Sequence, residues 1–522
     1  MKSYLPFVVA AVSPLVTLGY AESLKSEQVI ALGMNEGEVV SYSPGMQRLA
    51  VTSEVAGGVR SYRFASGQFV AGAAVDLVGY FGSQPAGGFT FGGVTSVALH
   101  PKDVDLGVAS VKNATKNSDG IPGAGRVVFF RVSSGEVLGS AAVGVHPDMV
   151  TFCPKGDRVL VANEGEFVVD SPADADGSIS VIDVRGVIGG GEAVARTVAF
   201  DGVNGLERLR YNAKIESGRE SAHIEPEYVT VSASHDLAFV SLQENNAIGV
   251  FDLKAGAWQG VHSLGLLEQT IDASDKDKKV AIDKVVAGLP MPDAIASYEA
   301  DGVVYLVSAN EGDFRPDDGD RARVMDFTGE DQGGDAIEVD MGKKALGRLR
   351  VSVPDSDPDG DNALEKLVMP GTRSLSVWRF DPAAETLELA GDTGSLEAYL
   401  AEVDPTRHNA NDGGDPEAFD KRSDDKGPEP EGVAVVKTAS GRVLAVVGME
   451  RQNGLVVVDL TAPESPKPVG YLNDFDRGLR RPESVIAVDG SDSPTGEPMV
   501  IVGYEGDADE QINGGVGVYS LK

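Results

Sequence analysis

One recurring phrase constrains this chain more than any other feature: an acidic residue with Val or Ile two positions on, then a second acid sixteen to twenty-two residues later. The first acids are Glu38, Asp148, Glu227, Asp293, Glu431 and Glu483; the second are Glu54, Glu164, Glu244, Glu311, Glu450 and Glu505. Five of the first set follow proline, as Pro147-Asp148, Pro226-Glu227, Pro292-Asp293, Pro430-Glu431 and Pro482-Glu483. Side chains at the same point of a stacked repeat converge in space, so these carboxylates mark where function is to be sought.

Each unit continues into a short apolar run: Val59 to Phe64, Arg126 to Phe130, Ser178 to Asp183, Ile248 to Leu253, Ser374 to Trp378, Leu455 to Leu460 and Gly517 to Ser520. Runs of this length, bounded by turn residues in a chain with 64 glycines, read as strands. Three clear strands per unit, with room for a fourth, predict an all-β fold, a seven-bladed β-propeller with long loop insertions on one face. Gln28 to Leu32 precedes the first unit and is expected to close the ring as the outer strand of the last blade. Residues 22–522 then form one domain, with residues 312–372 inserted in the fifth blade.

In such a ring the first strand of each blade lines the central channel and the second runs antiparallel to it. Acids before first strands and acids after second strands therefore open onto one face. The long insertions, including 201–224, 254–291, 312–372 and 392–428, emerge on that face too, where a rigid scaffold presents binding loops.

Lys and Arg total 45 against 80 Asp and Glu, a formal charge of −35. That field repels nucleic acid and anionic membranes and attracts cations. A solvating acidic surface accounts for much of the charge, but not for acids recurring at fixed points of a repeat. Lys2, the apolar stretch Leu5 to Leu18 and Gly19-Tyr20-Ala21 read as a signal peptide over residues 1–21, cleaved after Ala21, for a secreted or periplasmic protein. No segment reads as a membrane span. Cys153 stands alone, so no intrachain disulfide forms, and its flanks suit a buried thiol.

Carboxylates crowded around one mouth do not all ionise cheaply: two charges roughly 5 Å apart repel by about 3 kcal/mol at an effective dielectric of about 20. They bind cations, recruit Lys and Arg, or hold protons. Lys426, Arg451, Arg480, Arg481, Arg315 and Arg373 are the internal cations within reach. Clustered carboxylates suit calcium, then magnesium or manganese, whereas six His and one Cys show no zinc or copper spacing. Asp355, Asp357, Asp359 and Asp361 alternate around Gly360 like a calcium loop, although position twelve is Lys366, and Glu365 is a displaced ligand candidate. His146 and His223 lie near the mouth and read as packed or capping residues ahead of a general base. No nucleophile elbow, zinc-protease helix or phosphate-binding loop is present.

The words Ala309-Asn-Glu-Gly-Asp-Phe-Arg315, Arg373-Ser-Leu-Ser-Val-Trp378 and Ser423-Asp-Asp-Lys-Gly-Pro-Glu-Pro-Glu-Gly432 resemble the choice-of-anchor I family, which includes the mesenchyme-specific cell-surface glycoproteins of biomineralising animals. The resemblance extends over essentially the whole mature chain and implies a secreted or surface propeller with a calcium- or mineral-related role. Two departures stand out. The chain ends with the last blade, without the anchoring segment of many bacterial relatives, and unit two carries Thr95 and Val111 where other units carry acids. The leading expectation is a calcium-binding scaffold or binding module. The alternative is a metal-dependent phosphoesterase acting on a phosphorylated small molecule, with Lys426 and Arg451 holding the anion. A third reading has the insertions bind a glycan or surface protein.

Overall fold

Val-rich runs become strands here because each sheet is covered on both faces by its neighbours. The computed structural model describes residues 23–34, 36–53, 57–84, 88–166, 174–211, 220–232, 234–315, 319–506 and 511–522. Residues 1–21, where a signal peptide is expected, and Glu54 lie outside the described residues. Seven four-stranded antiparallel sheets make up the body. Their first strands are Glu36–Ser43, Phe91–Leu99, Pro147–Phe152, Pro226–Val231, Ile295–Ala300, Pro430–Lys437 and Pro482–Val488. These seven touch one another in cyclic order, the last packing on the first.

One buried apolar cluster fills each interface between successive sheets. The interface between the seventh and first sheets is filled in the same way, by Val40, Leu49 and Val51 against Ile501, Val516 and Val518. The N-terminal strand Leu24–Ala31 pairs antiparallel with Gly515–Leu521, so the two ends of the chain complete one sheet. Among the described residues the first strands stand at the ends of their sheets, and hydroxyls of adjacent sheets meet some of their backbone groups. Ser484 donates to the Glu38 carbonyl at 2.6 Å and accepts from the Val40 amide at 3.0 Å.

The insertions form a packed layer of their own. Leu267–Ile271 and Lys284–Leu289 form a hairpin that Val368–Pro370, from 80 residues on, joins in parallel. Arg321–Arg323 pairs with Arg350–Ser352. Ile271, Val286, Val324, Phe327, Leu349, Leu364 and Met369 share a core beneath them. No helix among the described residues is long and apolar enough to cross a membrane. Cys153 is buried, and burial pushes its thiol up to about 12.

Candidate functional site

The acids are placed by a backbone device repeated from sheet to sheet. Register shifts interrupt the pairing of first and second strands between Pro147 and Val150, Pro226 and Val229, Pro430 and Val433, and Pro482 and Val485. The first acid of these four units therefore sits in a bulge at the start of the strand, where its side chain is re-aimed, whereas Asp293 lies ahead of a first strand paired without a register shift. The residue before the proline adopts left-handed backbone at His146, Met291, Glu429 and Arg481. Its carbonyl accepts the amide of the second acid in three sheets, Glu164 at 2.9 Å, Glu450 at 2.8 Å and Glu505 at 3.1 Å. One hydrogen bond thus ties the two acids of a unit together.

A cavity of about 270 Å³ runs between the first strands, with Glu38, Asp148, Asp293 and Glu483 on its wall. Thr95 holds the corresponding place in the second sheet and donates to the Pro147 carbonyl at 2.6 Å, so a neutral hydroxyl fills the gap. Ligand atoms of Asp293, Glu431 and Glu483 lie within 4.8 Å of one another, as do those of Glu311, Glu431 and Glu450. Glu431 belongs to both groups; it is buried, and its Oε2 makes no hydrogen bond. Glu227 and Glu244 are likewise buried with one oxygen unpartnered.

Burial, reinforced by neighbouring acids, raises these carboxyls. Asp148 and Asp293 are pushed up to about 6, and Glu311 to about 7 against the pull of Lys426. Glu164, Glu227, Glu244, Glu431 and Glu483 are driven well above the usual range, and Glu450 is raised as well. Asp293 and Glu431 face each other closely enough to share one ligand, and burial raises both carboxyls.

Cations gather on one side of the mouth. Lys426 pairs with Glu311, with Glu429 at 3.0 Å and with Asp313 at 3.6 Å. Arg451 lies 3.1 Å from Glu450 and 3.4 Å from Glu429. Burial works against the charge of Glu429, yet Lys426, Arg422 and Arg451 hold its carboxyl at about 2. Elsewhere His146 stands 3.2 Å from Glu164 and 2.7 Å from Glu166, and Arg315 bridges Glu225 and Asp174 at 3.0 Å each. Arg481 lies 3.8 Å from Glu505, whereas Arg480 stacks over Phe475 and Arg373 pairs with Glu397 at 2.7 Å.

Of the residues before the prolines, sequence reasoning singled out His146 and Arg481 but missed Glu225 and Glu429. All four pair with the acids or with their cations, and the common signal was a charged or ionisable residue at one fixed point of four units.

The aspartate loop departs from the expected calcium loop. Asp355 turns away to Arg210, at 2.8 Å, and to Ser352. Asp357 caps the amides of Gly360 and Asn362, both at 2.9 Å, and Asp361 accepts from Gln332 and Ala363. A short helix over Val353–Ser356 breaks the alternation. Asp359 instead joins Asp335 and Glu365.

Among solved structures, the chain is similar to the β-propeller domain of Cps50 (Swd1) from Myceliophteria thermophila, at 8% identity, TM-score 0.44, covering 96% of this chain and 100% of that one. It is also similar to a protein from Lactobacillus plantarum, at 11% identity, TM-score 0.47, covering 95% and 100%. No curated protein sequence matches the chain. Residues 38–463 match the model of the choice-of-anchor I domain.

Proposed function

Because the chain belongs to the choice-of-anchor I family, we propose that it is an exported or surface-displayed seven-bladed β-propeller whose acidic mouth binds divalent cations, calcium foremost. The carrying observation is Glu431, a buried carboxylate common to two groups of acids, with one oxygen that no protein group satisfies. Two oxygens on opposite sides of a calcium ion, each about 2.4 Å from it, are about 4.8 Å apart, so ligand atoms within 4.8 Å of one another can reach one ion. At neutral pH the most strongly raised of the crowded acids, Glu431 and Glu483, ionise more readily when positive charge arrives, and a divalent cation supplies it. Magnesium, with its shorter bonds and demand for octahedral geometry, fits these dispersed groups less well, and manganese stands between the two.

Binding is favoured over phosphoester hydrolysis. Lys426 and Arg451, the groups that would hold a phosphate, are both engaged by carboxylates. An anion would enter a field of raised, mutually repelling acids. Calcium titration followed by thermal unfolding tests the reading: the midpoint rises saturably with calcium, and an unchanged midpoint with calcium, magnesium and manganese alike refutes it.

A further inference from the structure

The loop layer holds a second set of ligating groups, separate from the acids of the mouth. Asp272 follows the strand Leu267–Ile271, while His408 and Asp420 come from the segment leading into the sixth sheet. Ligand atoms of the three lie within 4.8 Å of one another, and the residues are 1%, 0% and 0% exposed. His408 Nε2 stands 3.1 Å from Asp272 Oδ2. Ligand atoms about 2.1 Å from one cation are roughly 3.0 to 3.4 Å apart along an octahedral or tetrahedral edge.

Two further facts set this cluster apart from an ordinary buried Asp-His pair. Asp272 accepts from the Ala281 amide at 2.8 Å, and Asp420 accepts from the Ser423 hydroxyl at 2.7 Å. His408 Nδ1 and Asp420 Oδ2 nevertheless remain buried with no hydrogen-bond partner. Among the described residues no Lys or Arg pairs with either carboxylate. Arg373 reaches only the Asp272 carbonyl oxygen, at 2.7 Å, and is itself neutralised by Glu397. Even a protonated His408 balances one of the two carboxylates, and a buried charge without a partner is strongly disfavoured.

We propose that Asp272, His408 and Asp420 hold one divalent transition cation, zinc in preference to manganese, that clamps the two loops over the mouth. Imidazole nitrogen suits zinc and is a poor ligand for calcium, so this site and the mouth select different ions. No spacing motif announces it, because His408 lies 136 residues from Asp272. The site is independent of the cation-binding reading of the mouth.

Cobalt(II) and zinc titrations of the chelator-treated full chain test the assignment. One equivalent of cobalt gives visible absorption bands that zinc abolishes. Asp420→Asn, which keeps the size of the side chain, and His408→Ala each weaken zinc binding at least about tenfold. A wild-type chain that binds no stoichiometric zinc overturns the proposal. So does zinc affinity that survives in folded Asp420→Asn, and that variant decides the matter if His408→Ala does not fold.

Discussion

Lys426 and Glu431 sit a few residues apart in one segment and carry opposite consequences. Lys426 neutralises Glu311 and Glu429, both buried, so Lys426→Met leaves two carboxylates without their main partner. Removing one member of a buried ion pair costs about 3–5 kcal/mol, and urea unfolding at pH 7 should register a loss of that size. Glu431→Gln works in the other direction. It removes a carboxyl that burial and Glu311 drive well above its usual range, so the calcium-free variant should gain roughly 1–3 kcal/mol at pH 7 while its response to calcium falls away. Thermal unfolding with chelator and with calcium separates the two effects. Glu431 was legible because it repeats the Pro-acid phrase. Glu429, two residues earlier, was overlooked although the left-handed turn it occupies recurs before the prolines of other units: its importance comes from Lys426, Arg422 and Arg451, which its place in the repeat does not announce.

At the scale of the element, the bulges decide where the acids point. Gly432 lies in the bulge of the sixth sheet, and a Cβ there would stand 2.0 Å from the Glu483 carbonyl oxygen of the next sheet. Gly432→Ala must push the two first strands apart at the point where Glu431 and Glu483 meet. The expected cost is about 1–3 kcal/mol, with a parallel weakening of calcium binding; a destabilised variant that binds calcium normally would separate the bulge from the site. The strands of the seven sheets were readable because their apolar residues are regular and their partners are near in sequence. The pieces of the loop layer, Arg321–Arg323, Arg350–Ser352 and Val368–Pro370, were not, since three residues carry no period and their pairing is non-local. For the same reason the aspartate loop read as one calcium site, while Arg210, from a different insertion, draws Asp355 out of it.

For the whole molecule, the raised acids set how stability depends on pH. Asp148 and Asp293 near 6, and Glu311 near 7, bind protons more tightly folded than unfolded. Their contribution is fully present below about pH 4 and is lost as pH rises through 6 to 7. Glu429, held at about 2, acts oppositely: its contribution is present above the ordinary glutamate range and is lost as pH falls toward 2. In chelator the melting midpoint should therefore fall between pH 5 and pH 7.5, and calcium should restore more of it at the higher pH. A calcium-free midpoint that climbs steadily across this window contradicts the pattern. The formal charge of −35 was plain in the sequence, but the gathering of Lys426, Arg422 and Arg451 around Glu429 was not, because it depends on how the insertions fold.

The most direct test is calorimetric titration of the full chain with calcium near pH 6.5, in two buffers of different ionisation enthalpy, for wild type and Glu431→Gln. If a cation binds among the raised carboxyls of Asp293, Glu431 and Glu483, the wild type binds calcium saturably and releases protons, and the variant loses affinity at least about tenfold. Calcium heats that are absent in the wild type, or that Glu431→Gln leaves unaltered, would contradict the account.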